Sequence, residues 1–426
     1  MSFEHLRLAE PITRALKLKG YEQPTDVQKI CIPEIFAGKD INAHAQTGTG
    51  KTAAFALPLI QKFNKYPPIA PKKVHALILV PTRELAVQVE QNIKFYSQFL
   101  SIKSAVIFGG QRVNAQTKAL AKGVHILVAT VGRLLDMQKK GLIELDQVDH
   151  VVLDESDRML EMGFQHDLEK LLKLVPAKRQ TMMFSATHNP KVKELSYQWL
   201  KSAINVNTKE QNKVATNVEQ YLHPVDADRK QDLLVKLIKD NDWSQLLIFV
   251  KSRAYADELS DYLYDREHGL GLRAASIHSD KTQSKRNDLL KKFKAGTIRI
   301  LVATDVAARG LDIAELPAVI NFDLPHIKED YIHRIGRTGR ADNKGVAISL
   351  VCSGEIDTLH RIEAMLELPI RRVPVPEFRP KVILGLSSIR NRKQLDFDKD
   401  AKLPKDANPY ANALSKRAAS HTKRNH

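Results

Sequence analysis

Three stretches of this chain carry residues whose types and spacing suit phosphate chemistry. The first is Ala45-Gln46-Thr47-Gly48-Thr49-Gly50-Lys51-Thr52. An apolar run, Ile41 to Ala45, leads in and reads as a buried strand, and Thr52 to Phe63 leads out as a helix. A glycine-containing loop between strand and helix wraps an anion with its N–H groups, and the helix N-terminus adds partial positive charge there. In that layout Lys51 reaches the outer phosphates and Thr52 holds Mg²⁺. The strict pattern asks for Gly where Ala45 stands, so the stretch also fits a Gly/Thr-rich turn that binds nothing. The second is the carboxylate pair Asp154-Glu155, closing the apolar run Val151-Val152-Leu153. Asp154 can position Mg²⁺ and Glu155 can orient or deprotonate a water. Asp157 can pair across the same crevice. An acidic helix start, favoured by the macrodipole, would look the same. The third is His333-Arg334-Ile335-Gly336-Arg337-Thr338-Gly339-Arg340, three arginines and a histidine within eight residues. Arg337 and Arg340 suit bidentate contact with a γ-phosphate or with a nucleic-acid backbone.

These groups need a scaffold that brings strand ends together. Apolar runs recur at Ala76–Val80, Ala105–Phe108, Ile126–Ala129, Val151–Leu153 and Thr181–Phe184, separated by helical stretches such as Arg83–Phe95 and Glu155–Leu174. That alternation predicts a mostly parallel sheet covered on both faces, with ligands at the carboxyl ends of its strands. Ser185-Ala186-Thr187 closes one strand and can relay hydrogen bonds from the carboxylates, or cap a helix before Asn189-Pro190. A polar stretch around Thr208 to Asn217 interrupts the pattern, which resumes at Leu246–Val250, Ala274–Ile277, Ile298–Val302, Val319–Phe322 and Val346–Val351. Thr304 to Asp312 follows one of these strands and offers a hydroxyl, a close approach at Gly310 and a ribose-binding carboxylate at Asp312. The expected organisation is an α/β domain over 1–208, a linker over 209–217, a second α/β domain over 218–377 and a tail over 378–426. At the N-terminus, Pro24 and Thr25 read as a helix start with Gln28 completing a capping box.

Composition narrows the partners. The 426 residues carry a formal net charge of +17, which favours a polyanion. From Arg390 onward ten lysines and arginines face four aspartates, the composition of a disordered basic tail, either merely solvated or touching nucleic acid without sequence preference. Two distant cysteines, Cys31 and Cys352, suggest neither a disulfide framework nor a cysteine metal site. No signal peptide or membrane-spanning run stands out, so a cytoplasmic, soluble protein is expected.

Taken in order, these motifs resemble those of the DEAD-box ATP-dependent RNA helicases, from about Phe3 to Leu368. The resemblance rests on Phe3 with Gly20-Tyr21…Pro24-Thr25…Gln28, Ala45–Thr52, Pro81–Ala86, Gly109-Gly110, Thr130–Arg133, Asp154–Asp157, Ser185–Thr187, Phe249–Arg253, Gln283 with Arg286, Thr304–Asp312 and His333–Arg340. It implies two tandem RecA-like domains, ATP and Mg²⁺ as cofactors, and RNA as partner with weak sequence preference. It implies that the family's Ala occupies position 45, that segment 3–28 recognises adenine, that Tyr21 stacks on it and that Gln28 bonds its edge. Gln46, Thr47, Gly48, Thr49, Gly50, Lys51 and Thr52 would hold the phosphates and metal, with Asp154; Gly310 and Asp312 would meet the nucleotide from the second domain. Lys51, Asp154, Glu155, Arg337 and Arg340 would be catalytic. Thr82, Arg83, Gly110, Thr130, Arg133, Ser252, Gln283, Arg286 and Thr304 would contact RNA. Asp157, Ser185, Thr187 and His333 would couple the two activities. Three positions depart from the family pattern: Ser156 for Ala, Val131 for Pro and Ser279 for Gly.

The function this implies is RNA-stimulated ATP hydrolysis coupled to local separation of short duplexes or remodelling of ribonucleoproteins, by an expected monomer with no membrane contact. Protein partners, of an RNA-processing or ribosome-assembly kind, are not identified by these residues. An ATP-gated RNA clamp and a DNA translocase are the competing readings.

Overall fold

The computed structural model describes residues 3–45, 49–66, 69–110, 113–187, 190–207, 218–241, 243–265, 270–305, 313, 316–339 and 345–381. Gln46, Thr47, Gly48, Gly310, Asp312, Arg340, the 209–217 linker and the chain beyond Lys381 lie outside the described residues. The chain divides into two compact units, Met1–Gln211 and Asn212–His426.

In the first unit a short 3₁₀ turn, Phe3–Leu6, precedes helices α1 (Glu10–Leu18) and α2 (Asp26–Phe36). Pro11 sits in the first turn of α1, where its missing N–H costs nothing. Seven parallel strands then form one sheet: β1 (Ile41–His44), β2 (Val74–Val80), β3 (Ser104–Ile107), β4 (Val124–Thr130), β5 (His150–Leu153), β6 (Gln180–Ser185) and β7 (Ile204–Asn207). Their order is β3-β4-β2-β5-β6-β1-β7. Both faces are covered, so the strands read as continuous apolar runs: Ala76, Ile78 and Val80 of β2 enter one core layer, Leu77 and Leu79 the other. Helices α3 (Lys51–Phe63), α4 (Arg83–Tyr96), α5 (Val113–Leu120), α6 (Val131–Lys139), α7 (Ser156–Glu161), α8 (Gln165–Leu174) and α9 (Pro190–Trp199) complete the unit. The single helix expected over Glu155–Leu174 is two. Gly163 takes φ of 81°, and the N–H groups of Gly163 and Phe164 turn back onto Leu160 and Met159 to close α7.

The second unit repeats the plan with β8 (Val218–Pro224), β9 (Leu246–Phe249), β10 (Ala274–Ile277), β11 (Ile300–Ala303), β12 (Ala318–Asn321), β13 (Gly345–Val351) and β14 (Arg371–Arg372), in the order β10-β11-β9-β12-β13-β8-β14. Its helices are α10 (Lys230–Asp240), α11 (Arg253–Tyr264), α12 (Gln283–Lys294), α13 (Lys328–Ile335) and α14 (Ile356–Leu366). All its pairings are parallel as well. Residues 378–381, the first of the expected tail, are held by the second unit. Phe378 is buried in the core under Arg229, whose guanidinium carbon lies 4.5 Å from the ring centre, and the Lys381 N–H donates to Asp226. Among the described residues no helix is long and apolar enough to cross a membrane.

Candidate active site

Because every strand of a sheet runs the same way, all carboxyl ends meet one edge, and the sheet order decides which loops are neighbours. In the first unit that edge reads, from one side to the other, Gly109-Gly110 after β3, Thr130 ending β4, Thr82-Arg83 after β2, Asp154-Glu155 after β5, Ser185–Thr187 at the end of β6, and the phosphate loop after β1. The expected phosphate groups therefore occupy one half of the edge and the expected RNA groups the other.

The phosphate half is built tightly. Gly50 caps α3 with φ of 88°, and a side chain there would place Cβ 2.3 Å from Gln28 Nε2. Gln28 is almost fully buried and works twice: Oε1 accepts from Thr25 N at 3.1 Å, and Nε2 donates to Gly50 O at 3.1 Å. The capping side chain thus also ties α2 to the start of α3. Lys51 opens α3 and is 7% exposed, and its Nζ has no hydrogen-bond partner among the described residues. A buried ammonium without a hydrogen bond is costly, and an anion bound here would supply one. Tyr21 is half-buried beside Tyr96, ring centres 6.4 Å apart, with the Lys19 ammonium 5.9 Å from the Tyr21 ring centre.

Asp154 is buried at the end of β5. Burial pushes its carboxyl up to about 7, with the Lys51 ammonium pulling it down and Glu155 adding to the rise. A carboxylate kept this dry suits a cation, which would restore the charged form. The donor set of Asp154 and the half-buried Thr52 thus fits Mg²⁺. Glu155 adopts φ 50° and ψ 49°, a left-handed backbone that costs a non-glycine residue about 1–2 kcal/mol and persists only when its surroundings enforce it.

Behind it, Asp157 accepts three hydrogen bonds on Oδ2: from Ala186 N (3.0 Å), Thr187 N (2.9 Å) and Thr187 Oγ1 (2.9 Å). Ser185 Oγ lies 2.7 Å from His44 Nδ1 and 3.1 Å from Thr187 O. Ser156, the departure in the name motif, is fully buried and donates to Phe184 O at 3.0 Å. Its extra hydroxyl is satisfied locally, which explains how the site admits it.

In the other half, Gly110 has φ of 81° and lies so close to Arg83 that a Cβ would sit 2.3 Å from Nη1. Two separate motifs are therefore in contact. Thr82 is buried and its hydroxyl accepts from Leu85 N at 3.3 Å, capping α4. Thr130 precedes α6, Val131 begins it and is buried in the core, and Arg133 is half-buried on its first turn. Burial of Val131 takes over the anchoring that a proline's fixed φ would provide.

In the second unit the carboxyl ends of β9 and β11 are followed by expected RNA groups. Ser252 follows β9 and caps α11, its hydroxyl accepting from Tyr255 N at 3.1 Å. Gln283 and Arg286 open α12 and, like Thr304 after β11, are buried. Ser279 is exposed, 3.4 Å from Asp280 Oδ1, and nothing in the structure explains the substitution further. His333 lies half-buried on α13 and Arg337 is buried in the turn after it. Sequence reasoning left Arg334 without a role. It is 2% exposed, grips both oxygens of Asp305 at 2.6 and 2.7 Å, and donates to Asn321 Oδ1 and Asp323 O. It joins the Thr304 loop to the Arg337 turn, and no local spacing signals a pair so far apart in the chain.

Comparison with known proteins agrees with this geometry. The DEAD/DEAH box helicase family model matches residues 25–195, and the helicase conserved C-terminal domain model matches 229–342. DEAD-box ATP-dependent RNA helicase CshA of Geobacillus kaustophilus is 40% identical over 375 residues, 88% of this chain and 79% of that protein. ATP-dependent RNA helicase CshA of Limosilactobacillus reuteri is 40% identical over 375 residues, 88% and 73% of the two chains. Among solved structures, S. cerevisiae Dbp5 bound to RNA and ADP BeF3 matches with a TM-score of 0.76 at 27% identity, covering 88% of this chain and 96% of that one. A DEAD box protein from the hyperthermophile Methanococcus jannaschii is 38% identical with a TM-score of 0.51, over 88% and 99%. The two family models fall one in each unit, and the relatives match over 88% of the chain: this chain belongs to the DEAD-box ATP-dependent RNA helicase family.

Proposed function

We propose that this chain hydrolyses ATP in response to RNA and uses the cycle to separate short RNA duplexes or remodel ribonucleoproteins. The observation that carries the reading is the division of the first unit's carboxyl edge into a nucleotide half and a polynucleotide half, with the loops after β5 and β6 of the nucleotide half tied together by the Asp157–Thr187 contacts. The relatives' names and the RNA and nucleotide in the Dbp5 structure support it.

Adenine stacks on Tyr21 and Gln28 bonds its edge, and the tie of Gln28 to Gly50 sets base against phosphates. Gln46, Thr47, Gly48, Thr49 and Gly50 offer backbone N–H groups, and Lys51 gives its buried ammonium to the phosphate oxygens. Thr52 and Asp154 would hold Mg²⁺, which when bound neutralises charge on the phosphates. Glu155 orients a water and takes its proton as the water oxygen attacks the γ-phosphorus and the bond to the bridging oxygen breaks, leaving ADP and phosphate. Arg337 and Arg340, with Gly310 and Asp312 at the nucleotide, act from the second unit when ATP and RNA together close the two units. Thr82, Arg83, Gly110, Thr130, Arg133, Ser252, Gln283, Arg286 and Thr304 hold the strand, the buried ones by shaping the loops that touch it. Grip through backbone and 2′-OH makes sequence preference weak, and a strand held bent cannot stay paired. Product release reopens the cleft.

The test is the steady-state ATPase rate with RNA, with single-stranded DNA and with neither. RNA should raise the rate at least about tenfold and DNA should not. Equal stimulation by DNA would make the chain a DNA translocase; no stimulation by either would refute the coupling.

A further inference from the structure

We infer that His44 is a positioning residue for ATP hydrolysis, holding its proton on Nδ1 and donating it to Ser185. His44 ends β1, immediately before the phosphate loop, and Ser185 ends β6 in register beside it. In parallel neighbours the registered side chains share one face of the sheet, and both are buried here.

The assignment follows from counting protons. Ser185 Oγ has two partners, His44 Nδ1 at 2.7 Å and Thr187 O at 3.1 Å. Thr187 O can only accept, and a serine hydroxyl has one proton to give. Both bonds form together only if Ser185 donates to Thr187 O and His44 Nδ1–H donates to Ser185 Oγ. The opposite tautomer would use the hydroxyl proton on the ring and release Thr187 O.

The consequence passes through the turn. Ser185 closes the 185–187 turn, and that turn presents three donors to Asp157. Asp157 lies two residues beyond Glu155, whose left-handed backbone needs support from its surroundings. The backbone ladder, with Ala45 N donating to Ser185 O at 3.0 Å, aligns the strands but does not orient the hydroxyl. His44 does, so the strand that carries the phosphate loop also steadies the group that activates water. This role rests on the hydrolytic reading proposed above; the tautomer does not.

Two measurements test it. In the full-length chain labelled with ¹⁵N-histidine, a long-range ¹H–¹⁵N spectrum at pH 8 should show His44, identified by its loss in His44→Asn, protonated at Nδ1. Protonation at Nε2 alone would overturn the inference whatever the activity. In kinetics, His44→Leu keeps the branched shape without a donor, and His44→Asn keeps an N–H at the same distance along the side chain. At saturating RNA, His44→Leu should lower kcat about tenfold with the KM for ATP within about twofold, and His44→Asn should stay near the parent rate. Equal kcat in all three, or equal loss in both variants, would refute the positioning role. A parent chain without RNA-stimulated turnover would instead refute the proposed function, and the spectrum would still decide the tautomer.

Discussion

Replacing Gly110 with alanine should weaken RNA binding and leave ATP binding intact. The backbone at Gly110 has φ of 81°, and the added Cβ would lie 2.3 Å from Arg83 Nη1 and 2.7 Å from Arg83 Cζ. Ordinary contact is about 3.5–4.0 Å, so the guanidinium must move by more than about 1 Å. The left-handed backbone adds about 1–2 kcal/mol of local strain for alanine. The folded unit survives, because the displaced atoms are the far end of a flexible side chain, but Arg83 leaves its place on the polynucleotide half of the edge. A lost charge-assisted contact is worth about 1.5–3 kcal/mol, or about 10- to 150-fold in affinity. The assay is anisotropy of a labelled single-stranded RNA with a non-hydrolysable ATP analogue, over a salt series. Besides the weaker Kd, the salt slope should fall by about 0.7, the equivalent of one phosphate contact on a single strand. Arg83→Ala should do the same, and the double variant should lose little more than either single one. Full additivity, an unchanged Kd, or a parallel loss of ATP affinity would each refute the reasoning.

Glu155→Gln should retain ATP and RNA affinity within about twofold and lose at least about 100-fold in turnover, since only the proton-accepting group changes; turnover near the parent rate in single-turnover assays would remove it from the mechanism. Lys51→Ala should abolish nucleotide binding by calorimetry, and parent-like affinity would dismiss the phosphate-loop assignment. His223 is buried and donates Nδ1–H to Val373 O at 2.6 Å, and burial holds it down from 6.5 to about 4. The fold keeps the ring neutral, so stability is full above pH 6.5 and is lost as pH falls toward 4, by about 2 kcal/mol at pH 5. His223→Asn keeps a donor and cannot titrate; denaturant melts at pH 7 and 5 should show the parent losing about 2 kcal/mol more than the variant, and equal losses would discard the argument. Ending the chain after Lys381 should lower RNA affinity and its salt slope while leaving the second unit folded, whereas ending it at Val375 removes buried Phe378 and should cost about 3–5 kcal/mol of stability. An unchanged salt slope in the chain ending after Lys381 would leave the tail without a role in binding.

Residue order alone determined most of the scaffold and the identity of the reactive groups. Strands buried on both faces must be apolar throughout, so β2, β4 and β5 announce themselves, and phosphate-handling residues cluster locally because one loop carries them. The edge strands β7 and β14 gave no such signal. β7 is polar at half its positions and β14 has two residues, so only pairing with β1 and β8 creates them. The helix expected over 155–174 broke because Gly163, between Met162 and Phe164, supplies a left-handed turn.

Pairings between distant residues belonged to the tertiary structure. Nothing near Arg334 points to Asp305, nothing near Gly110 points to Arg83, and His44 and Ser185 stand 141 positions apart. A sheet built by crossovers places such residues side by side only once its strand order is set, and that order arises from packing over the whole unit. Chemistry was therefore written in local residue types, whereas the contacts that orient it were decided by which strand ends became neighbours.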